Sequence, residues 1–172
     1  MKHINNSLNL SKISFKYELN ESDIHTIKSI LETTDFFYDY EINVAVEIAK
    51  EYIEKSISSG YNFVLVNYDN RIIGFSCYGE IPCTKNSYDL YWIALHNDMR
   101  SNGIGLLLLN ETELQILKLS GRRVYIETSS KKKYISTQKF YLKAGYTLEA
   151  RLKDFYNDND DKLIYSKTLI SD

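Results

Sequence analysis

The stretch Arg100-Ser101-Asn102-Gly103-Ile104-Gly105 stands between two apolar runs and predicts the turn around which the fold is organised. Tyr88 to Leu95, before it, is typical of a buried strand, and Ile104 to Leu119, after it, is a leucine-rich helical stretch. A helix that starts at glycines exposes free backbone N–H groups and the positive end of its dipole, and Arg100 adds a charge beside them. The hexapeptide therefore predicts either a seat for a pyrophosphate or a tight turn with a purely architectural role.

Two other phosphate-binding patterns do not fit this turn. A dinucleotide fingerprint requires a third glycine, and Leu108 occupies its place. A P-loop requires Gly-Lys-Ser or Gly-Lys-Thr after the glycines, and neither follows. A diphosphate held by backbone amides is the functional interpretation that remains.

A strand and two helices are predicted at the start of the chain. Ile13 to Leu19 alternates apolar and polar residues, which is the period of a half-buried strand. Asn20 to Asp23 offers capping side chains before a helix that ends near Thr33-Thr34. Helical spacing resumes from about Asp39 to Ser58, and Gly60 follows as a stop.

The remaining elements form two hairpins and a strand–helix unit. Asp69-Asn70 has the chemistry of a two-residue turn between strand-like runs. The other predicted elements are the strands Tyr61 to Tyr68, Arg71 to Tyr78 and Val124 to Thr128, the helix Ile135 to Lys143, and a final hairpin within Tyr146 to Leu169 that turns at Asn157 to Asp161. The predicted order is β-α-α-β-β-β-α-β-α-β-β, an α/β fold in which residues 1–172 form a single domain.

Composition limits the classes of function. The net charge of -2 gives no global basic field, so neither nucleic acid nor an anionic membrane is an expected partner. Met1 to Leu10 has no continuous apolar run, so we expect neither a signal peptide nor a membrane anchor there. Cys77 and Cys83 are too few for a disulfide framework and fit a reducing, cytoplasmic location. His3, His25 and His96 have no metal-like spacing, and no metal is predicted.

Two motifs carry a resemblance to a known family. Trp92 to Leu109, which contains the Arg-x-x-Gly-x-Gly pattern, resembles motif A of the GNAT N-acetyltransferases. Thr137 to Tyr146, with Phe140-Tyr141 and Gly145-Tyr146, resembles the motif B helix of that family. The resemblance implies a mixed central sheet of about six to seven strands flanked by four helices. It also implies transfer of an acetyl group from acetyl-CoA to an amine acceptor, and a homodimer is common in the family.

The resemblance also implies roles for individual residues. The backbone of Leu95 would bind the pantetheine arm, the amides from Ser101 to Gly105 would hold the pyrophosphate, and Tyr141 would protonate the departing thiolate. Without the resemblance, Tyr141 beside Phe140 would be interpreted as a packing residue. Three local departures from the family pattern, Asn97, Ser101 and Tyr134, concern the fine geometry of the site rather than the fold.

A base is needed because an alkylammonium has a pKa of roughly 10 and must lose a proton before it attacks. Asp89 and Glu127 are the candidates. Asp89 lies six residues before Leu95 and would share its strand face if the strand were regular. Either carboxylate could instead be structural.

The acceptor surface is predicted less specifically than the cofactor seat. We expect it in residues 22–58 and in the loops around 81–87 and 154–161. The aromatic and acidic segment Asp35 to Tyr40 favours a cationic amine. Lys131 to Lys133 could meet a phosphate or an acidic substrate, or could simply be solvated, and the carboxylates of Asp154 to Asp161 fit a hairpin turn better than a calcium loop.

Two further functions remain open at this point. One is a non-catalytic sensor that binds acyl-CoA without turnover, and the other is a partner-binding domain that has no cofactor.

Overall fold

The computed structural model describes residues 9–169 and contains a seven-stranded sheet flanked by four α-helices. The strands are β1 (Ile13–Lys16), β2 (Asn62–Tyr68), β3 (Arg71–Glu80), β4 (Ser87–Leu95), β5 (Arg123–Ser129), β6 (Thr147–Asn157) and β7 (Asp160–Thr168). The helices are α1 (Glu21–Glu32), α2 (Asp39–Lys55), α3 (Ile104–Lys118) and α4 (Ile135–Lys143). The predicted α/β fold, its strand number and its helix number are confirmed. His3 and most of the Met1–Leu10 segment lie outside the described residues.

Local sequence signals account for most of these boundaries. Asn20 caps α1 in a capping box with Asp23, in which each side chain accepts a hydrogen bond from the backbone N–H of the other residue. Asp69 and Asn70 have φ of 53° and 66°, which is the conformation of the tight hairpin turn predicted between β2 and β3. β1 is shorter than predicted and ends at Lys16, because β2, its only partner strand among residues 9–169, pairs with it no further than that.

Helices cover both faces of the sheet. Residues of α1 and α2 pack on one face in a core that includes Phe63, Leu65 and Phe75. Residues of α3 and α4 pack on the other face in a core that includes Leu90, Val124 and Ile126. Burial of these apolar side chains is the main favourable contribution to the free energy of folding, at roughly 25 cal/mol per Å².

The strand order is β1-β2-β3-β4-β5-β7-β6, and β4 and β5 are its parallel neighbours. Their pairing runs from Ser87 and Arg123 to Leu90 and Ile126 and then stops, although both strands continue. The carboxyl-terminal ends of β4 and β5 therefore separate and leave a gap in the middle of the sheet.

A β-bulge in β4 lies where this gap begins. Cys77 of β3 pairs with Trp92 and Tyr78 pairs with Leu90, so Tyr91 is an extra residue in β4. The bulge reverses the alternation of side chains between the two faces. Leu90 and Leu95 both face α3 and α4, although they are an odd number of residues apart.

Candidate active site

The turn between β4 and α3 presents a row of free backbone donors. Among residues 9–169, no acceptor lies within hydrogen-bonding distance of the amide N–H groups from Ser101 to Gly105. Ser101 to Gly103 are exposed, so their N–H groups are accessible from solvent, and a helix N-terminus carries about half a positive charge. The row is therefore suited to bind an anion, and this is the part of the predicted pyrophosphate seat that the geometry supports.

The two glycines of this turn serve different purposes. Gly103 caps α3 with φ of 80°, a left-handed conformation that side chains other than glycine rarely adopt. Gly105 lies inside the first turn of α3, where an added Cβ would be 3.7 Å from atoms of Leu95 and Phe140. A methyl group fits there, but a longer side chain would have to enter the space between these residues.

That space is a groove with a volume of about 490 Å³ between α3 and α4, called here the glycine groove. Its lining includes Leu95, Arg100, Ser101, Gly103, Gly105 and Phe140. His96 donates its backbone N–H to Ile73 of β3, so the backbone groups of Leu95 face the opposite way, toward the gap beside β5. An extended ligand arm in the gap would meet unpaired backbone groups of β4, which fits the role predicted for Leu95.

A second cavity of about 290 Å³ opens between the connection from α1 to α2 and the separated ends of β4 and β5. We call it the aromatic cavity. Its aromatic residues are Phe36, Phe37, Tyr38, Tyr40, Tyr91, Trp92, Tyr134, Tyr141 and Tyr156. The residues that line both this cavity and the glycine groove are Ile93, Ala94, Arg100, Thr137 and Tyr141. The two spaces therefore meet at the gap between β4 and β5.

Tyr141 lies at this junction. Its ring is buried in the core beside Tyr146 and Tyr165, with ring centroids 6.0 Å and 5.9 Å away. No group among residues 9–169 forms a hydrogen bond with its hydroxyl. Burial, with a smaller contribution from Tyr165, raises the pKa of the Tyr141 phenol well above its ordinary value. The phenol is a protonated donor at the place where the two cavities join.

The two candidate bases lie on the same sheet face but are not equivalent. Glu127 lines the aromatic cavity and forms an ion pair with Lys162, whose Nζ is 2.6 Å from Glu127 Oε2. Asp89 lines neither cavity, and the expectation that it shares a face with Leu95 is wrong, because the bulge at Tyr91 shifts the alternation by one residue. Burial, and then the charge of Glu127, raise the pKa of Asp89, while Lys162 opposes this shift.

Phe36 is a residue that the sequence did not single out. The Arg100 guanidinium lies over its ring, 4.6 Å from the centroid, and Tyr134 packs edge-on against it. The Phe36 carbonyl accepts hydrogen bonds from Lys133 Nζ at 2.7 Å and from Tyr134 Oη at 2.9 Å. The only sequence signal for it was the aromatic character of residues 35–40, which gave no hint of these partners.

The segments predicted to form the acceptor surface contribute unequally to the aromatic cavity. Thr34, Phe36 to Tyr38, Tyr40 and Glu41, between the end of α1 and the start of α2, line the aromatic cavity together with Tyr156 and Asp160 of the last hairpin. The loop at residues 81–87 does not line it. Asp35 and Asp39 are exposed and do not line it either, so the acidic members of the 35–40 segment lie outside the cavity.

The three lysines from Lys131 to Lys133 have different environments. Lys131 forms an ion pair with Asp160 at 3.2 Å, and Asp160 also accepts a hydrogen bond from Ser129. Lys133 reaches Phe36, whereas Lys132 is exposed and lines neither cavity. Two of the three lysines therefore belong to the wall of the aromatic cavity.

Within residues 9–169, the cysteines and histidines form no cluster with chemistry of its own. Cys77 is buried, and burial raises the pKa of its thiol, which makes it a poor nucleophile. Residues 9–169 contain no group of three His, Cys, Asp or Glu side chains arranged to hold a metal. Within the same range, no helix combines the length and the apolar character that crossing a membrane requires.

Comparisons with known proteins agree on one family. A sequence profile of the acetyltransferase (GNAT) domain matches residues 59–148. A structure from Desulfovibrio desulfuricans assigned to GNAT acetyltransferases has 36% sequence identity and a TM-score of 0.89, covering 91% of this chain and 98% of that chain. No curated protein matches the sequence.

More distant solved structures share the fold. An aminoglycoside 6'-N-acetyltransferase complexed with coenzyme A has a TM-score of 0.71 and 19% identity, covering 93% of this chain and 98% of that chain. Spermidine N-acetyltransferase from Vibrio cholerae has a TM-score of 0.73 and 14% identity, covering 92% and 94%.

Proposed function

Because this chain belongs to the GNAT acetyltransferase family, we propose that it is a single-domain N-acetyltransferase that moves the acetyl group of acetyl-CoA directly to an amine acceptor. The observation that carries the proposal is the meeting of the glycine groove and the aromatic cavity at Tyr141. Two substrates that enter from different sides can react at such a junction without a covalent enzyme intermediate.

Acetyl-CoA suits the glycine groove by its chemistry. Its pyrophosphate matches the free amides from Ser101 to Gly105, and its extended pantetheine arm matches the unpaired backbone of Leu95 at the gap. The solved aminoglycoside acetyltransferase with coenzyme A supports this cosubstrate, since it shares the fold. When bound, acetyl-CoA supplies an activated acyl group as a thioester.

The residues at the junction would handle the protons of the transfer. A bond forms between the amine nitrogen and the acetyl carbon, and the bond between that carbon and sulfur breaks. The N–H groups of β4 near Leu95 would stabilise the negative charge that develops on the carbonyl oxygen. Tyr141 would give its proton to the thiolate, and its high pKa keeps that proton in place until the sulfur becomes basic.

The proton of the amine needs a separate acceptor. Glu127 is better placed than Asp89, because Glu127 lines the aromatic cavity. Asp89 could receive the amine proton only if Glu127 or a water molecule relayed it.

Acetyl-CoA-dependent thiol release, measured against a panel of amines and peptides, tests the proposal. Turnover with at least one amine is the expected result. Binding of acetyl-CoA, seen as a rise in melting temperature, without turnover on any amine would identify a sensor instead. No rise in melting temperature at saturating acetyl-CoA would favour a partner-binding domain.

A further inference from the structure

Two cationic side chains meet the same residue on the wall of the aromatic cavity. The Arg100 guanidinium lies over the ring of Phe36, and Lys133 donates a hydrogen bond to its carbonyl. These cations come from the turn before α3 and from the turn before α4, so three separate parts of the chain converge at Phe36.

Neither cation has a carboxylate partner. Among residues 9–169, no Asp or Glu oxygen lies within 4 Å of the Arg100 guanidinium or of Lys133 Nζ.

The carboxylates of this cavity are engaged elsewhere. Asp160 is paired with Lys131 and Glu127 with Lys162, while Glu41 accepts the backbone N–H of Tyr38 at 2.8 Å. The lining has as many carboxylates as cations, but among residues 9–169 none of these carboxylates forms an ion pair with Arg100 or Lys133.

Arg100 is the more unusual of the two cations, because it is only partly exposed to solvent. Burial lowers the pKa of its guanidinium, because the charged form loses part of its solvation. The Phe36 ring lies next to the group, and among residues 9–169 no acceptor takes a hydrogen bond from the guanidinium N–H groups. A planar anion at the edge of this group would form paired hydrogen bonds and offset the cost of burial.

We propose that the amine acceptor also carries a carboxylate, as an α-amino acid does, and that Arg100 and Lys133 hold this carboxylate in the aromatic cavity. The inference rests on the proposed function and names the class of its acceptor. It adds a carboxylate to the cationic amine that the aromatic and acidic segment Asp35 to Tyr40 favours; the aromatic members of that segment line the cavity, whereas Asp35 and Asp39 do not.

Arg100 alone would not identify the acceptor, because it lines the glycine groove as well and could contact the pyrophosphate. Lys133 separates the two roles, since it lines the aromatic cavity and not the groove. If changing Lys133 weakens binding of the acceptor and not of acetyl-CoA, the carboxylate of the acceptor binds in the aromatic cavity.

The experiment compares each α-amino acid with its own carboxamide as acceptor, and includes spermidine and an aminoglycoside as amines without a carboxylate. For the best amino acid, we expect kcat/KM to exceed that of its amide by roughly 10- to 100-fold. Lys133→Gln and Arg100→Gln should both bring the ratio of acid to amide close to one. Lys133→Gln should leave the KM for acetyl-CoA unchanged, and Lys132→Gln is its matched control.

Several results would overturn the inference. The inference fails if amides or polyamines are acetylated with the same kcat/KM as the amino acids, although the proposed function then stands. It also fails if Arg100→Gln weakens only acetyl-CoA, or if Lys133→Gln leaves the ratio of acid to amide unchanged. Absence of acetylation for every amine in the panel would instead count against the proposed function itself.

Discussion

Leu90 of β4 and Ile126 of β5 form the last pair before these two strands separate. Both side chains are buried in the core beneath α3, so the separation does not result from poor packing at this point. The gap that follows gives the glycine groove and the aromatic cavity their common boundary.

Leu90→Ala should destabilise the fold where the gap begins. Leu90 is 4% exposed, and removing most of such a side chain costs about 2–5 kcal/mol of unfolding free energy. Urea denaturation measures the loss. Leu114→Ala on the surface of α3, where the side chain is 45% exposed, is the matched control and should change stability little. Equal losses for the two variants would contradict the packing described for Leu90.

Tyr141→Phe should lower kcat by roughly 100-fold or more while the affinity for acetyl-CoA changes little, because only the donated proton is lost. Tyr165→Phe removes a hydroxyl from the neighbouring buried ring, which lines neither cavity, and serves as the control. Steady-state kinetics and calorimetric titration with acetyl-CoA give the two quantities. A parent-like rate in Tyr141→Phe would make this residue a packing residue.

Gly105→Leu should raise the Kd for acetyl-CoA by roughly tenfold or more, since the side chain must project into the glycine groove. Gly105→Ala is the control, because its methyl group meets Leu95 and Phe140 only at ordinary contact distance. Gly103→Glu should also lose affinity, but part of its effect would be backbone strain at positive φ. If a folded Gly105→Leu variant bound acetyl-CoA as tightly as the parent, the glycine groove would not be the cofactor site.

Glu127→Gln should change the pH–rate profile and lower the rate by roughly 100-fold or more if Glu127 accepts the amine proton. Asp89→Asn, tested in parallel, shows whether the second carboxylate contributes. Glu32→Gln on the exposed surface of α1 is the control. If Glu127→Gln and Asp89→Asn both keep the parent profile, water or ionisation of the amine in bulk solvent removes the proton.

Asp89 should also make stability depend on pH. Its pKa in the folded protein is raised, first by burial and then by Glu127, so folding favours the protonated form. The corresponding stability is present below the ordinary pKa near 3.8 and is lost as the pH rises through the folded value. Asp89→Asn should therefore melt higher than the parent at pH 7, and the difference should vanish toward pH 4 and below.

Asp161 provides a contrast of opposite sign. The backbone N–H of Asp154 and then Arg151 lower the pKa of the Asp161 carboxyl, so its stabilisation is present above the ordinary value and lost as the pH falls. Asp161→Asn should melt lower than the parent at pH 7. Thermal melts of both variants across this pH range check the two signs, and shifts of the same sign would contradict the assignment.

Local sequence signals are enough to predict the order of the elements and to propose a position for the cofactor seat. Apolar periodicity, the Asn20 cap and the Asp69-Asn70 turn act between residues close in the chain, so they can be identified without knowing the fold. The donors from Ser101 to Gly105 are consecutive, and their exposure follows from the start of a helix at glycine. The motifs around Arg100 and Tyr141 indicate the GNAT family, and the comparisons confirm it.

The set of side chains that share the aromatic cavity follows from long-range packing and not from local sequence. The bulge at Tyr91 arises from pairing between β3 and β4, and it places Asp89 on the face opposite to the one that regular alternation predicts. Phe36 meets Arg100 and Lys133 from distant parts of the chain. Such contacts are set by how the sheet and helices pack as a whole, because no local periodicity records which distant side chain will occupy the neighbouring space.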